Sequence, residues 1–247
     1  FQIQKWLPLE IGGYDVSFTN SSAFMVATVA AAAGLLYFST AGRSMIPSRL
    51  QSVSEMAYEF VANTLKDAAG THGMKFFPFV FSLFMFILFA NILGLTPLGV
   101  FGIHPFTVTS HFTITGVLAI LSFAIVLIVG FWRHGFHFFS LFVPHGTPLW
   151  LMPLIPVIEL VSFLVRPFSL GLRLFVAMTA GHVLMEVFSS FIIDSAHAGA
   201  AIGIPVGIAS MSLMVGISAL ELLVAGIQAY VFALLTSLYL NDAVNLH

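Results

Sequence analysis

"VRPFSLGLRLFVAMTAGHVLMEVF" runs from Val165 to Phe188 and places Arg173 near the middle of an almost wholly apolar segment. The apolar character extends from Pro153 to Ile193, 41 residues by position. As an α-helix such a run reaches about 60 Å at 1.5 Å per residue. A bilayer's hydrocarbon core is only about 30 Å thick. The helix is therefore either broken or strongly tilted. A second run, Ile204 to Leu240, has the same excess, and "DSAHAGAAIG" between them reads as a turn. The expected unit is a hairpin of two long, slanted helices over 150–193 and 203–241.

Composition agrees with a lipid solvent. Hydrophobic residues make up 59% of the 247 and charged residues only 7%, where soluble domains carry roughly 25% charged. With no cysteine, disulfides, thiolate metal sites and cysteine nucleophiles are excluded. A net charge of −2 gives no support for a nucleic-acid partner. The first twenty residues lack the basic-then-apolar order of a secretory leader.

The remainder reads as one all-α membrane domain over 1–247. Residues 1–22 form an outer interfacial arm. A first span covers 23–42. Residues 47–70 form an amphipathic surface helix, with Leu50, Val53, Ala57, Phe60 or Val61 and Leu65 as its apolar stripe. A second span covers 76–98 and a third 112–132. The hairpin completes about five membrane-embedded helices. Arg43, Arg49, Lys66 and Lys75 flank the surface helix, which places it on the cytoplasmic or matrix side. Arg133 and the C-terminal tail follow it there. The N-terminal arm, the Gly102–Ser110 loop, Asp194 and His197 fall outside.

The hairpin carries Glu159, Arg166, Arg173, His182, Glu186, Glu221 and Gln228. Ionisable residues at membrane depth are costly and usually face protein or a water-filled cavity. Anchoring or structural pairing fits Arg166 and Glu186 best, and accounts poorly for seven polar groups on two neighbouring helices. Glu159, Arg166 and Arg173 are spaced by seven and share one stripe, with Ser169 and Ala177 one turn either side of Arg173. His182, nine residues past Arg173, lies about 180° around. Glu221 and Gln228 are again seven apart. Side by side in a hairpin, Gln228 would neighbour Arg173 and Glu221 would neighbour His182. His and Glu exchange protons when their surroundings allow; Arg effectively never does. The pattern is two proton paths separated by a fixed positive barrier. That barrier suits a carboxylate from another protein.

"SLGLRLF" (169–175), "AGH" (180–182) and "ELLVAGIQAYVFALLTSLYL" (221–240) resemble subunit a of the rotary F-type ATP synthase. So do "FTNSS", "FFPF", "FANILGLTP", "PFTVTSH" and "YLNDAVNLH" in matching order. The resemblance covers most of the chain and points to the alphaproteobacterial and mitochondrial branch. It implies a non-catalytic stator subunit, with ATP made in the soluble head. Its implied partners are the c-ring, whose carboxylate would face Arg173, peripheral-stalk b-type subunits and the lipid bilayer. Its implied location is a bacterial inner membrane, with the mitochondrial inner membrane as the alternative. Gln228 would accompany Arg173. His182 and Glu221 would belong to the outer half-channel and Glu159 to the inner one. Ser169, Asn91 and Glu186 are supporting polar positions. Ala177 and Gly94 depart from relatives that carry Asn and Asp there. No cofactor or metal is implied. A proton-coupled secondary transporter would show two related halves, and none is visible. A membrane scaffold would tolerate loss of Arg173. Haem ligation would require axial histidines, whereas His104, His111, His134, His137 and His145 fall mostly in loops or at helix ends.

Overall fold

The computed structural model describes residues 5–7, 10–11, 14–15, 17–41, 47–96, 107–135, 138, 154–197 and 199–245. Expectations for Arg43, His104, His137, His145 and residues 150–153 fall outside these. The fold is all-α apart from a small N-terminal feature. There, β1 (Lys5–Leu7) pairs antiparallel with β4 (Phe18–Thr19), and β2 (Glu10–Ile11) pairs with β3 (Tyr14–Asp15). These short pairs fall within the stretch 1–22 expected as an interfacial arm.

Among the described residues six α-helices follow: α1 (Asn20–Ala41), α2 (Arg49–Gly73), α3 (Phe77–Leu95), α4 (Phe112–His134), α5 (Ile155–Ser195) and α6 (Ala200–Val244). Five of them, all but α2, are long and apolar enough to cross a membrane. In a medium without water, hydroxyls must bond inside the protein. Thr28, Ser122 and Ser237 do so within their own helices, donating to the carbonyls of Phe24, Leu118 and Ala233 at 2.7, 2.9 and 2.8 Å.

The alternatives of a broken or a tilted helix are resolved in favour of continuity. α5 runs 41 residues through Pro167, and α6 runs 45 through Pro205. Unbroken helices of this length fit a bilayer only when strongly inclined. They pack against each other along the hairpin. α4 lies against α5, and both α3 and α2 lie against α6. Small residues set the separations. A Cβ on Gly171 would sit 3.2 Å from the Thr115 carbonyl oxygen and 3.3 Å from Ala119 Cβ, so α4 and α5 approach closely there. Ala225, Ala229 and Ala233 form a buried stripe on α6 beside Phe232.

α2 begins at Ser48, whose hydroxyl accepts from the Gln51 backbone N–H at 3.3 Å. Its buried face is Ser54, Val61, Leu65 and Ala69. The expected stripe is thus split. Val61 and Leu65 pack on protein, Leu50 and Val53 stay exposed, and Phe60, though partly open, sets its ring against Phe84 on α3 and Tyr230 on α6. The helix has two apolar faces, one against α3 and α6 and one facing outward. Regular helix is interrupted at Gly70, with φ 63 and ψ −168. An L-residue there costs about 1–3 kcal/mol. Gly70→Ala should therefore lower the melting temperature of the detergent-purified protein. Gly34→Ala, where an added Cβ meets nothing within 4 Å, should not.

Candidate functional site

Two polar clusters lie along the α5–α6 hairpin, with Arg173 between them. In the first, His182 Nδ1 is 3.6 Å from Glu221 Oε1. Its Nε2 is 2.5 Å from the Thr107 hydroxyl. Glu221 is buried, its side chain only 2% exposed. Neither of its carboxylate oxygens accepts a hydrogen bond from the described residues. Gly181 makes its space: a Cβ there would lie 2.6 Å from Glu221 Oε1. A buried carboxylate held only against an imidazole carries a large desolvation cost.

This cluster is fixed by the turn preceding α4. Fully buried Asn91 on α3 donates through Nδ2 to the Ala225 carbonyl on α6 at 3.1 Å. Its Oδ1 accepts from the Thr109 hydroxyl at 2.7 Å. Thr179 on α5 donates to the Ser110 carbonyl at 3.4 Å. Residues 107–110 thereby tie α3, α5 and α6 together around His182 and Glu221. Thr107 also fills the space above Gly94, where any side chain would collide with it. Glycine at position 94 is thus a packing requirement in this chain.

The second cluster centres on Arg166. Its guanidinium donates to Asp242 Oδ2 on α6 at 2.8 Å and stands 3.8 Å from Glu159 Oε1 on its own helix. The rings of Phe163 and Tyr239 lie 5.6 and 5.0 Å from it, within cation–π range. Arg166 is thus structurally paired, as its position on the stripe led us to expect.

Arg173 differs. It is exposed on α5, among exposed Val165, Phe168 and Val176, and no carboxylate of the described residues pairs with it. The crosslinks His182–Glu221 and Arg166–Asp242 bracket it, and they bracket half-buried Gln228 on α6 as well. No hydrogen bond joins Arg173 to Gln228 among the described residues. Ser169 is half-buried one turn before Arg173, and Glu186 is exposed one turn after His182.

Comparison with known proteins gives this arrangement a context. The family model described as ATP synthase A chain matches residues 22–241. This chain belongs to that family. It is 65% identical over 238 residues to ATP synthase subunit a of Erythrobacter litoralis, covering 96% of this chain and 90% of the relative. It is 63% identical over 246 residues to ATP synthase subunit a of Rhizorhabdus wittichii, covering 99% and 92%. The resemblance to subunit a of the F-type synthase rests on nearly the full length of both sequences.

Within the ATP synthase A chain fold, the sequence reading missed Thr107 and Asp242. Asp242 had a signal. The seven-residue step from Glu221 to Gln228 reaches it after two further steps. It therefore continues the α6 stripe that faces the Glu159–Arg166–Arg173 stripe. Thr107 had none, because it lies 75 residues from His182 in the chain. Asn91→Leu should leave the Ala225 carbonyl and Thr109 hydroxyl without their partner, costing about 1–3 kcal/mol. The expected result is a lower melting temperature and looser α3–α6 packing, read by cysteine crosslinking between the two helices.

Proposed function

We propose that this chain is the proton-translocating stator subunit of an F-type ATP synthase in a bacterial inner membrane. The observation that carries the reading is Arg173, a guanidinium exposed on an apolar helix surface and without a carboxylate partner among the described residues. A permanently charged group at membrane depth needs an opposite charge or water. A carboxylate on the rotating c-ring, passing along the α5–α6 face, supplies the former. Membership of the ATP synthase A chain family supports the same partner.

The chemistry then divides by residue type. A proton enters from the outer side past Glu221 and His182 and neutralises a ring carboxylate. The neutral site can turn into lipid. After nearly a full turn it reaches an inner half-channel near Glu159 and releases its proton. The ionised carboxylate is drawn to Arg173, with Gln228 alongside. Because Arg173 cannot give up its proton, it also blocks direct passage between the half-channels. ATP is made elsewhere in the complex, and this subunit is not itself catalytic. The basic residues around α2, among them Arg49, Lys66 and Lys75, support placing that side inward, where peripheral-stalk subunits would meet it.

Arg173→Ala in the assembled complex should abolish ATP-driven acidification of inverted membrane vesicles. Arg173→Lys should fail as well, since an ammonium can deprotonate when desolvated and lacks the planar fork. Normal pumping by Arg173→Ala would overturn the proposal.

A further inference from the structure

Arg166 and Arg173 pose a problem of selectivity. They lie seven residues apart on one stripe of α5, about 10 Å along the axis. Both are permanent cations. A passing carboxylate would be attracted to either, yet two adjacent attractors on one track would hold it at the wrong place. The structure treats the two differently. Arg173 is exposed and unpaired among the described residues. Arg166 is engaged from both helices, by Asp242 at 2.8 Å and Glu159 at 3.8 Å, with its guanidinium against Phe163 and Tyr239. Its side chain is 22% exposed.

We infer that Asp242 is a selector: it neutralises Arg166 so that the α5–α6 face presents a single free cation, Arg173, to the rotor. The inference rests on the proposed stator function and adds a positioning residue to it. Asp242 suits the task by placement. It projects from the far end of α6, continues the stripe of Glu221 and Gln228, and makes the shorter of the two contacts to Arg166. Glu159 alone, at 3.8 Å and expected to serve in proton release, cannot both cancel Arg166 permanently and cycle its own charge. With Asp242 in place, Glu159 is freed from that duty. The competing account makes Arg166–Asp242 a mechanical latch between the helix ends. It predicts that removing either partner is equally harmful and that removing both is no better.

The test uses the assembled synthase in inverted membrane vesicles, with ATP-driven acidification measured per subunit a by immunoblot and ATP hydrolysis measured in parallel. Asp242→Asn exposes Arg166 and should cut acidification several-fold per ATP hydrolysed. Arg166→Gln removes the surplus cation and should lose less than half. The double variant Arg166→Gln with Asp242→Asn should recover to the level of Arg166→Gln alone. Asp242→Glu, which keeps the charge, should pump near normally. Should Asp242→Asn fail to assemble, adding Arg166→Gln must restore both assembly and pumping. A double variant as impaired as Asp242→Asn, or Asp242→Asn with normal coupling, overturns the selector role. Arg173→Ala run alongside separates the two failures. If it abolishes pumping while Asp242→Asn does not, only the selector inference falls. If Arg173→Ala pumps normally, the stator reading falls with it.

Discussion

A charge in an apolar medium has to be matched, and the hairpin is organised around that requirement. Arg166 meets it with two carboxylates and two aromatic rings. Glu221, buried on α6, is set against His182 at 3.6 Å. Asn91, uncharged but wholly buried, satisfies its amide on α6 and on the turn before α4. Arg173 lies on α5 between the His182–Glu221 and Arg166–Asp242 contacts and is itself exposed. The chain belongs to a family of ATP synthase subunits, and under the proposed function the partner of this exposed cation is supplied by another subunit.

The rest of the fold holds that geometry in place. Gly171 lets α4 approach α5, and Gly181 gives Glu221 its room. The alanine stripe on α6 opens the space in which Asn91 reaches a backbone carbonyl. The Thr28, Ser122 and Ser237 hydroxyls on α1, α4 and α6 donate to carbonyls of their own helices, which satisfies them without tying up a neighbouring helix. The polar side chains at the centre of the hairpin are therefore set by backbone approach. That is why glycines and alanines matter here as much as the charges do.

Much of this was legible in the sequence. Length and hydropathy fix long helices, and the seven-residue spacing of Glu159, Arg166 and Arg173 fixes a common face. The neighbouring of His182 and Glu221 follows once the two helices form a hairpin. What the sequence did not reveal depends on contacts distant in the chain. Thr107 reaches His182 from a turn that no periodicity links to α5. α2 keeps one apolar face outward and buries another, because α3 and α6 cover it from one side. Asp242 was readable from spacing, but its partner was not, since Arg166 also has Glu159 within reach. Arg173 and Gln228 are bracketed by the same crosslinks without bonding to each other, so their relation in function depends on what occupies the face beside them.

The most direct measurement is a structure of the assembled membrane sector with this chain in place. The account predicts the Arg173 guanidinium directed at the c-ring, within roughly 6 Å of a rotor carboxylate, the range over which opposite charges govern ionisation. Arg173 turned toward lipid or toward this chain's own carboxylates, with the ring against another face, would contradict it.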